Sequence, residues 1–334
     1  MTVTAFGPGR VNLIGEHTDY NNGLALPFAI ADGVRVTAEP LDGDHIEAIA
    51  SDLGEEDRFD AADPPPAEGW RAFVRGMVAE LGDVDPARLT ITGTIPQGSG
   101  LSSSAALEVA LALALLGTDE GLDRIALAQL CSRVENAWVG AQTGLLDQLA
   151  ALLGETDAAL CIDFRSLEVT PVALELGDWR LVTVDSGERH THAGSGYNER
   201  RAECATACER LGVPSLREAT PDAVAGLPEP LRSRARHVLD ENDRVTQTVA
   251  ALGRGDREAV GALLDASHAS LRDLYEASTP AVERTADALR AAGATGARMV
   301  GGGFGGHVLG LLPPGVALPR GATVVMPGPG ARLL

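Results

Sequence analysis

Lysine is absent from this chain of 334 residues, so all 27 of its basic side chains are arginines. A Walker-type phosphate loop, a Schiff base to pyridoxal phosphate and a lysine nucleophile all need a lysine amine. The absence of lysine therefore excludes these three chemistries. If the protein binds phosphate groups, it must use backbone amides, arginine side chains or a metal ion.

Cysteines and long apolar runs are also scarce. The four cysteines show no C-x-x-C pairing, which argues against a zinc site or a disulfide framework and predicts reduced thiols. The longest apolar run, residues 105–116, contains Glu108 and is well short of the ~20 residues that span a bilayer. No apolar leader follows Met1, so we expect a cytoplasmic protein. The net charge of −20 predicts no general attraction to nucleic acid or to anionic membranes.

The spacing of apolar residues predicts an α+β fold in which strands and helices do not strictly alternate. The length suits one large domain or two closely associated ones, with residues 158–185 as the junction between the halves. Helices are predicted at residues 70–81, 103–116, 123–138, 145–153, 198–211, 230–252, 257–275 and 281–292. Strands are predicted at residues 34–38, 89–95, 158–164, 168–173, 180–185, 296–300 and 308–312.

A glycine- and serine-rich segment, PQGSGLSSSAA, occupies residues 96–106 between a predicted strand and a predicted helix. Glycines let the main chain approach a polyphosphate, successive amides can point at it, and the helix N-terminus adds a favourable dipole. Such a turn is more often only a helix cap, but one hydroxyl satisfies a cap and this segment has three in succession. Ser104, the last hydroxyl before the helix proper, is placed to bind a metal ion carried by the phosphates.

A second segment, GRVNLIGEHTDY, concentrates charged and polar side chains in residues 9–20. Glu16 and Asp19 can accept hydrogen bonds from adjacent sugar hydroxyls, and His17 can donate or accept, which favours a polyol site. Arg10 can present two donors to a phosphoryl oxygen. A metal site formed by Glu16, His17 and Asp19 is the less favoured alternative, because no second histidine cluster accompanies it.

The third signal is a pair of acidic residues on predicted helices, Glu135 and the Asp147 of the segment GLLDQ. A carboxylate among apolar residues is costly unless it is paired or functional. Taken alone, Asp147 fits a buried structural carboxylate as well as a catalytic base, and Glu135 fits a solvated helix residue better than a site residue.

Together these segments resemble the galactokinase branch of the GHMP kinase superfamily. The segment GGGFGG at residues 301–306 resembles the closing glycine-rich turn of that family, so the resemblance spans essentially the whole chain. It implies a two-lobed fold with an N-terminal lobe at residues 1–175, a C-terminal lobe at residues 176–334, and the active site between them.

The resemblance also implies a role for each matching residue. Galactose would be contacted by Glu16, His17, Thr18, Asp19, Gly144, Asp147 and Tyr197. The phosphates of ATP would lie on Gly98, Ser99, Gly100, Leu101, Ser102, Ser103 and Ser104. Mg²⁺ would be held by Ser104 and Glu135, with Asp147 as the catalytic carboxylate and Arg10 as its cationic partner. The implied reaction is ATP-dependent phosphorylation of the anomeric hydroxyl of galactose, carried out by a monomer.

Two alternatives stay open at this stage. The chain departs from the family pattern at Thr143, Leu146, Gly196 and His307, which flank the inferred contacts. One pocket residue can decide which substituent is tolerated, so the substrate could instead be N-acetylgalactosamine, arabinose or galacturonate. A non-catalytic sugar sensor is less favoured, because the chain retains the residues that phosphoryl transfer would need.

Overall fold

The computed structural model describes residues 1–96, 98–188 and 193–334, and within these it shows helices arranged around three β-sheets. The helices are α1 (Trp70–Leu81), α2 (Ser103–Leu116), α3 (Arg124–Val134), α4 (Leu146–Leu153), α5 (Ala193–Leu211), α6 (Pro221–Ala225), α7 (Leu231–Gly253), α8 (Arg257–Asp273) and α9 (Pro280–Ala291). The strands are β1 (Val3–Asn12), β2 (Leu24–Ala25), β3 (Pro27–Pro40), β4 (His45–Ala50), β5 (Glu55–Asp60), β6 (Ala87–Gly93), β7 (Ala158–Asp163), β8 (Glu168–Ala173), β9 (Arg180–Asp185), β10 (Gly296–Met299), β11 (His307–Leu312), β12 (Ala322–Val325) and β13 (Arg332–Leu333). The predicted α+β class is confirmed.

The first sheet has six strands in the order β13–β1–β3–β6–β4–β5. Strand β1 pairs antiparallel with β3, and the register shifts between Pro8 and Arg10. Such bulges redirect side chains and are common beside active sites. Strand β13 pairs with β1, so the last residues of the chain return to the first sheet.

Helix α2 packs across β1 and β3 and is buried on nearly all sides, including Glu108. A helix that is apolar all round is a core helix, and the helix predicted at residues 103–116 is confirmed. Among the described residues, no helix combines the length and apolar character that crossing a bilayer requires.

The second sheet has four strands in the order β10–β11–β9–β12, covered by helices α8 and α9. Helix α9 begins with Pro280 in its first turn, and the Thr279 hydroxyl accepts a hydrogen bond from the Val282 amide. Its buried face packs on a core that includes Leu271, Tyr275 and Met299. This core lies behind the glycine-rich turn at residues 301–306 and fixes its position.

The three strands predicted within residues 158–185 are present: β7 and β8 form a small third sheet with β2, whereas β9 lies inside the second sheet. One helix prediction is corrected here. The predicted helix at residues 123–138 ends at Val134 and continues as one π-helical turn, Glu135–Val139. Single π-helical turns occur often at functional sites.

Candidate active site

A cavity of about 300 Å³ lies between helix α2, the start of α4, and the glycine-rich turn at residues 301–304. Its lining unites residues from every segment singled out in the sequence: Arg10, Glu16, His17, Asp19, Gly98, Ser99, Gly100, Ser102, Ser103, Ser104, Glu135, Gly144, Asp147 and Tyr197. Residues distant in the chain thus form one concave surface rich in polar groups, which is the usual character of a small-molecule site.

Asp147, in the first turn of α4, is held by two partners. Its Oδ1 accepts a hydrogen bond from Arg10 Nε at 2.7 Å and lies 2.6 Å from Arg10 Nη2 in an ion pair, and its Oδ2 accepts a hydrogen bond from the Ser102 hydroxyl at 2.6 Å. Arg10 Nη1 also donates to the Gly100 carbonyl at 2.6 Å, which ties β1 to the serine-rich segment. Burial lowers the pKa of Arg10, but the charges of Asp147 and Glu16 outweigh this and raise it, so the guanidinium stays charged.

The serine-rich segment places its backbone and the start of α2 against the cavity. Gly98, Gly100 and Ser102 have positive φ angles of 67°, 77° and 63°, and α2 begins at Ser103. The helix N-terminus therefore faces the same space as Asp147, in the arrangement that favours an anion. The segment predicted to bind phosphate lines the cavity, but its Ser102 hydroxyl is directed at Asp147.

Asp19 lies in the same cavity, against Gly144. A Cβ atom at Gly144 would lie only 1.9 Å from Asp19 Oδ2, so this approach requires glycine. Burial raises the pKa of Asp19 to about 6, and the nearby charge of Asp147 adds to the shift. The two aspartates that line the cavity therefore have different surroundings: Asp147 is paired with arginine, and Asp19 is poorly solvated.

His17 has both ring nitrogens bonded to protein groups. Nε2 lies 3.1 Å from the Gly302 carbonyl oxygen and Nδ1 lies 2.8 Å from the Tyr20 hydroxyl. Burial, together with His237, lowers the pKa of His17 to about 3, so the ring is neutral. Because a carbonyl oxygen only accepts, Nε2 must carry the proton and Nδ1 must accept from Tyr20. The sequence predicts a sugar contact here, whereas the ring nitrogens join two protein segments.

All three tyrosines of the chain surround His17, with ring centroids 5.9 Å (Tyr20), 5.2 Å (Tyr197) and 4.5 Å (Tyr275) from the imidazole. The hydroxyls of Tyr20 and Tyr275 are 2.8 Å apart. A Cβ atom at Gly302 would lie 2.7 Å from the Tyr197 ring, so the glycine-rich turn lets that ring pack closely. Sequence reasoning missed Tyr275, although the rarity of tyrosine was a usable signal.

Glu16 connects the N-terminal segment to the end of the second sheet. Its Oε1 accepts a hydrogen bond from the Gly301 amide at 2.8 Å and lies 3.2 Å from Nη2 of Arg298. Burial raises the pKa of Glu16, although Arg298 and Arg10 oppose this. The carboxyl group lines the cavity while one of its oxygens is committed to protein partners.

Thr18 and Leu101, two residues of the predicted site, lie outside the cavity lining. The Thr18 hydroxyl donates to the carbonyls of Gly15 and Leu24 and shapes the turn that carries its neighbours. Leu101 is part of the hydrophobic core, and its carbonyl accepts from the Arg10 amide at 3.1 Å. Both residues support the site from behind.

Glu135 is held from below by a second layer of polar groups. Its Oε2 accepts hydrogen bonds from the Thr143 hydroxyl at 2.7 Å and from Gln148 Nε2 at 2.9 Å. Gln148 Nε2 also donates to Oε2 of the fully buried Glu108 at 3.0 Å. Burial raises the pKa of Glu135, while hydrogen bonds from Thr143 and Ser104 oppose the rise. Sequence reasoning did not identify the roles of Glu108 and Gln148.

The hydroxyl of Ser104 and the carboxylate of Glu135 fit a magnesium ion. Both are oxygen ligands, and Mg²⁺ is usually held by one or two carboxylates together with substrate phosphates. Among the described residues, no group of three or more His, Cys, Asp or Glu could hold a metal ion. The alternative metal site at Glu16, His17 and Asp19 is therefore not formed.

Comparisons with known sequence families cover most of the chain. Residues 2–40 match the galactokinase galactose-binding signature, residues 70–155 the GHMP kinases N terminal domain, and residues 248–319 the GHMP kinases C terminal domain. A protein named galactokinase from Mycobacterium tuberculosis (strain ATCC 25618 / H37Rv) is 45% identical, with 94% of this chain and 90% of that protein covered.

Two solved structures are similar in fold. The Lactococcus lactis galactokinase complexed with galactose superposes with a TM-score of 0.92 at 33% identity, covering 100% of this chain and 95% of that one. The Methanococcus jannaschii mevalonate kinase superposes with a TM-score of 0.67 at 18% identity, covering 100% and 98% of the two chains. The second match concerns the fold alone.

Proposed function

The chain belongs to the galactokinase family of GHMP kinases, and from this membership we propose that its cavity binds galactose and ATP. The γ-phosphoryl group is transferred to the anomeric hydroxyl of galactose, which yields α-D-galactose 1-phosphate and ADP. One observation supports this most directly: Asp147, paired with Arg10, faces the same cavity as the N-terminus of α2 and the carboxyl group of Asp19.

Asp147 acts on the acceptor hydroxyl in this proposal. Arg10 Nε donates a hydrogen bond to Oδ1 and holds the carboxylate in place beside a positive charge. The carboxylate orients the sugar hydroxyl and receives its proton as the oxygen attacks phosphorus. Phosphoryl transfer needs mainly alignment and neutralisation of oxygen charge, and the charged Arg10 guanidinium contributes to both.

The serine-rich segment, Gly98 to Ser104, holds the phosphates of ATP through its amides and through the start of α2. Ser104 and Glu135 would hold Mg²⁺, which neutralises charge on the phosphate oxygens when it is bound. Gln148 and Thr143 orient the Glu135 carboxylate for that role. Because the chain has no lysine, phosphate must be bound by backbone amides, arginine and a metal ion.

Asp19, Glu16, Gly144 and Tyr197 form the sugar side of the cavity. Asp19 accepts hydrogen bonds from sugar hydroxyls, and Gly144 leaves room for its carboxylate. His17 acts on this side through its contacts with Tyr20, Tyr197 and the Gly302 carbonyl. Four free thiols suit a reducing compartment, so we propose a cytoplasmic enzyme, and we propose that it acts as a monomer.

A coupled assay of ADP release tests the proposal with the purified protein, ATP and Mg²⁺. Galactose, N-acetylgalactosamine, arabinose, galacturonate and a sugar-free blank would be compared in parallel. We expect turnover with galactose to exceed that with the other sugars by at least about tenfold, since poorly fitting polar groups are strongly rejected. Chelation of the metal should abolish turnover.

The variant Asp147→Ala tests the proposed base. We expect its turnover to fall by at least about 100-fold, the usual lower range for a positioned acid or base, while ATP binding is retained. Asp240→Ala, which changes an exposed aspartate on α7, serves as the matched control and should keep full turnover. Unchanged turnover in Asp147→Ala would contradict the assignment of Asp147 as the base. If the unmodified protein turns over none of the sugars, the non-catalytic sugar sensor is favoured.

A further inference from the structure

We propose that Ser102 is a positioning residue for Asp147 and that Oδ2 of Asp147 is the oxygen that accepts the proton of the sugar hydroxyl. This inference rests on the proposed function. It assigns Ser102 a task different from phosphate binding, which the sequence pattern predicts for all three consecutive serines.

The backbone at Ser102 first sets this residue apart from an ordinary helix cap. Ser102 is the N-cap of α2, yet its φ and ψ of 63° and 51° are left-handed and its side chain makes no capping hydrogen bond. A capping serine is normally extended and accepts from an amide of the first helical turn. Left-handed backbone is disfavoured for residues with a Cβ atom and persists where the surroundings fix it, often at functional sites.

The hydroxyl that does not cap the helix is directed at Asp147. Ser102 Oγ lies 2.6 Å from Oδ2, a distance typical of a short, charge-assisted O–H···O⁻ bond. This bond joins the serine-rich segment to α4, 45 residues further along the chain. The left-handed turn therefore places a hydroxyl donor on the catalytic carboxylate, at the cost of the helix cap.

Counting the acceptor sites on the carboxylate identifies the reactive oxygen. Each carboxylate oxygen has two lone-pair positions. Oδ1 accepts a hydrogen bond from Arg10 Nε at 2.7 Å and also lies 2.6 Å from Arg10 Nη2, whereas Oδ2, among the described residues, accepts only from the Ser102 hydroxyl. The guanidinium therefore occupies the Oδ1 side, Oδ2 keeps an open acceptor position, and the Asp147 side chain is 27% exposed.

The reaction then follows with atoms and charges balanced. The oxygen of the anomeric hydroxyl forms a bond to the γ-phosphorus of ATP, and the bond from that phosphorus to the β–γ bridging oxygen breaks. The proton of the hydroxyl passes to Oδ2 of Asp147, and ADP leaves with the electron pair of the broken bond. The Ser102 hydroxyl stays hydrogen-bonded to Oδ2 throughout, and before the transfer this bond directs the second lone pair of Oδ2 at the sugar hydroxyl.

The experiment compares Ser102→Gly and Ser102→Ala with the unmodified protein. Glycine adopts left-handed backbone freely and lacks the hydroxyl, whereas alanine lacks the hydroxyl and keeps the strain. If the hydroxyl positions Asp147, kcat should fall about 10- to 100-fold in both variants, the range expected for a hydrogen bond to a charged group. KM for ATP and for galactose, and the Kd for ATP, should change by less than about threefold, because this interaction serves the transition state.

Ser103→Ala provides the contrasting variant, since its hydroxyl belongs to the proposed phosphate segment. We expect it to raise KM for ATP while kcat stays within about threefold. A tenfold rise in the Kd for ATP with normal kcat in Ser102→Gly would assign Ser102 to phosphate and overturn the inference. If kcat is normal in Ser102→Gly and falls only in Ser102→Ala, the backbone conformation of residue 102 matters and its hydroxyl does not, which would overturn the inference. Absence of turnover in the unmodified protein would remove the proposed function as well, so the two failures are distinguishable.

Discussion

Asp147 and Asp19 line the same cavity, but their different environments suit them to different roles. Asp147 accepts one hydrogen bond from Arg10 Nε and one from Ser102, and its Oδ1 also lies 2.6 Å from Arg10 Nη2, so it faces a fixed positive charge. Asp19 packs against Gly144, where burial raises its pKa to about 6. Two similar side chains in one cavity therefore suit different roles, one as the proposed base beside an arginine and one as a titratable sugar ligand.

The raised pKa of Asp19 predicts a pH dependence of sugar recognition. The ionised form accepts hydrogen bonds from two hydroxyls, and protonation as the pH falls below about 6 removes acceptor capacity. We expect kcat/KM for galactose to decline below about pH 6, approaching tenfold per pH unit, because this ratio reports groups of the free enzyme.

Asp19→Asn is the control for this pH profile. Its kcat/KM should be lower at neutral pH but should lack the decline assigned to residue 19. A decline of the same size and midpoint in Asp19→Asn would assign the titration to another group. The same raised pKa means that the folded state favours protonated Asp19, so this residue stabilises the fold least above pH 6.

Most residues that the sequence singled out line one cavity, but the sequence did not give the direction of every side chain. Residues with a distinctive chemistry, such as Arg10 and Asp147, could be named because charge next to apolar residues is informative. Thr18 and Leu101 stand between such residues in the chain, and only the turn geometry shows that they point away from the cavity. Ser102 could not be separated from its neighbours, because its direction depends on a left-handed φ.

At the scale of elements, agreement between prediction and structure followed the strength of the local pattern. The bounds of α1 and α2 matched, since an apolar pattern of helical length ends at glycine in each case. Strand β1 was missed because glycine, proline and arginine interrupt its apolar alternation. Strand β5, EEDRFD, was missed because it is an exposed edge with a single buried residue.

Three helical segments meet at Gln148, which links α2 and the π-helical turn to α4. Its amide nitrogen donates to both Glu108 and Glu135, so one side chain serves two buried carboxyl groups. Burial raises the pKa of Glu108 well above its ordinary value, and the charge of Glu135 adds to the shift. The amide donor therefore offsets part of the cost of placing two acidic residues below the phosphate segment.

Replacing Gln148 with leucine should expose this cost. We expect Gln148→Leu to destabilise the protein by about 1–3 kcal/mol, because buried acceptors lose their donor, and to raise the Mg²⁺ concentration needed for half-maximal turnover. Thermal denaturation and a magnesium titration would measure the two effects. In the matched double variant Glu108→Leu/Gln148→Leu, part of the stability should return, since one unsatisfied acceptor is removed; no recovery would contradict the shared-donor interpretation.

At the scale of the whole molecule, residues of the C-terminal half form hydrogen bonds and an ion pair with the segment that carries the proposed sugar-binding residues. Arg298 of β10 is fully buried, and its Nη1 donates to the carbonyls of Asn12 and Leu13 at 2.8 and 2.9 Å. Its Nη2 lies 3.2 Å from Glu16. Glu241 of α7 accepts from the Gly15 amide at 3.0 Å, which holds the turn from a second side. The sugar side of the cavity thus exists only when both halves of the chain are packed together.

These contacts of Arg298 predict that it stabilises both the fold and the sugar side of the cavity. Arg298→Met would leave Glu16 and two buried carbonyls without a cation, and removing one partner of a buried ion pair costs about 3–5 kcal/mol. We expect a single unfolding transition at lower temperature and a raised KM for galactose. Arg272→Met is the control: its partner Asp273 is exposed, its second partner Glu283 is partly exposed, and such surface pairs are worth about 1 kcal/mol or less. Two separate unfolding transitions in Arg298→Met, or a loss no larger than that of Arg272→Met, would show that the halves are stable without this contact.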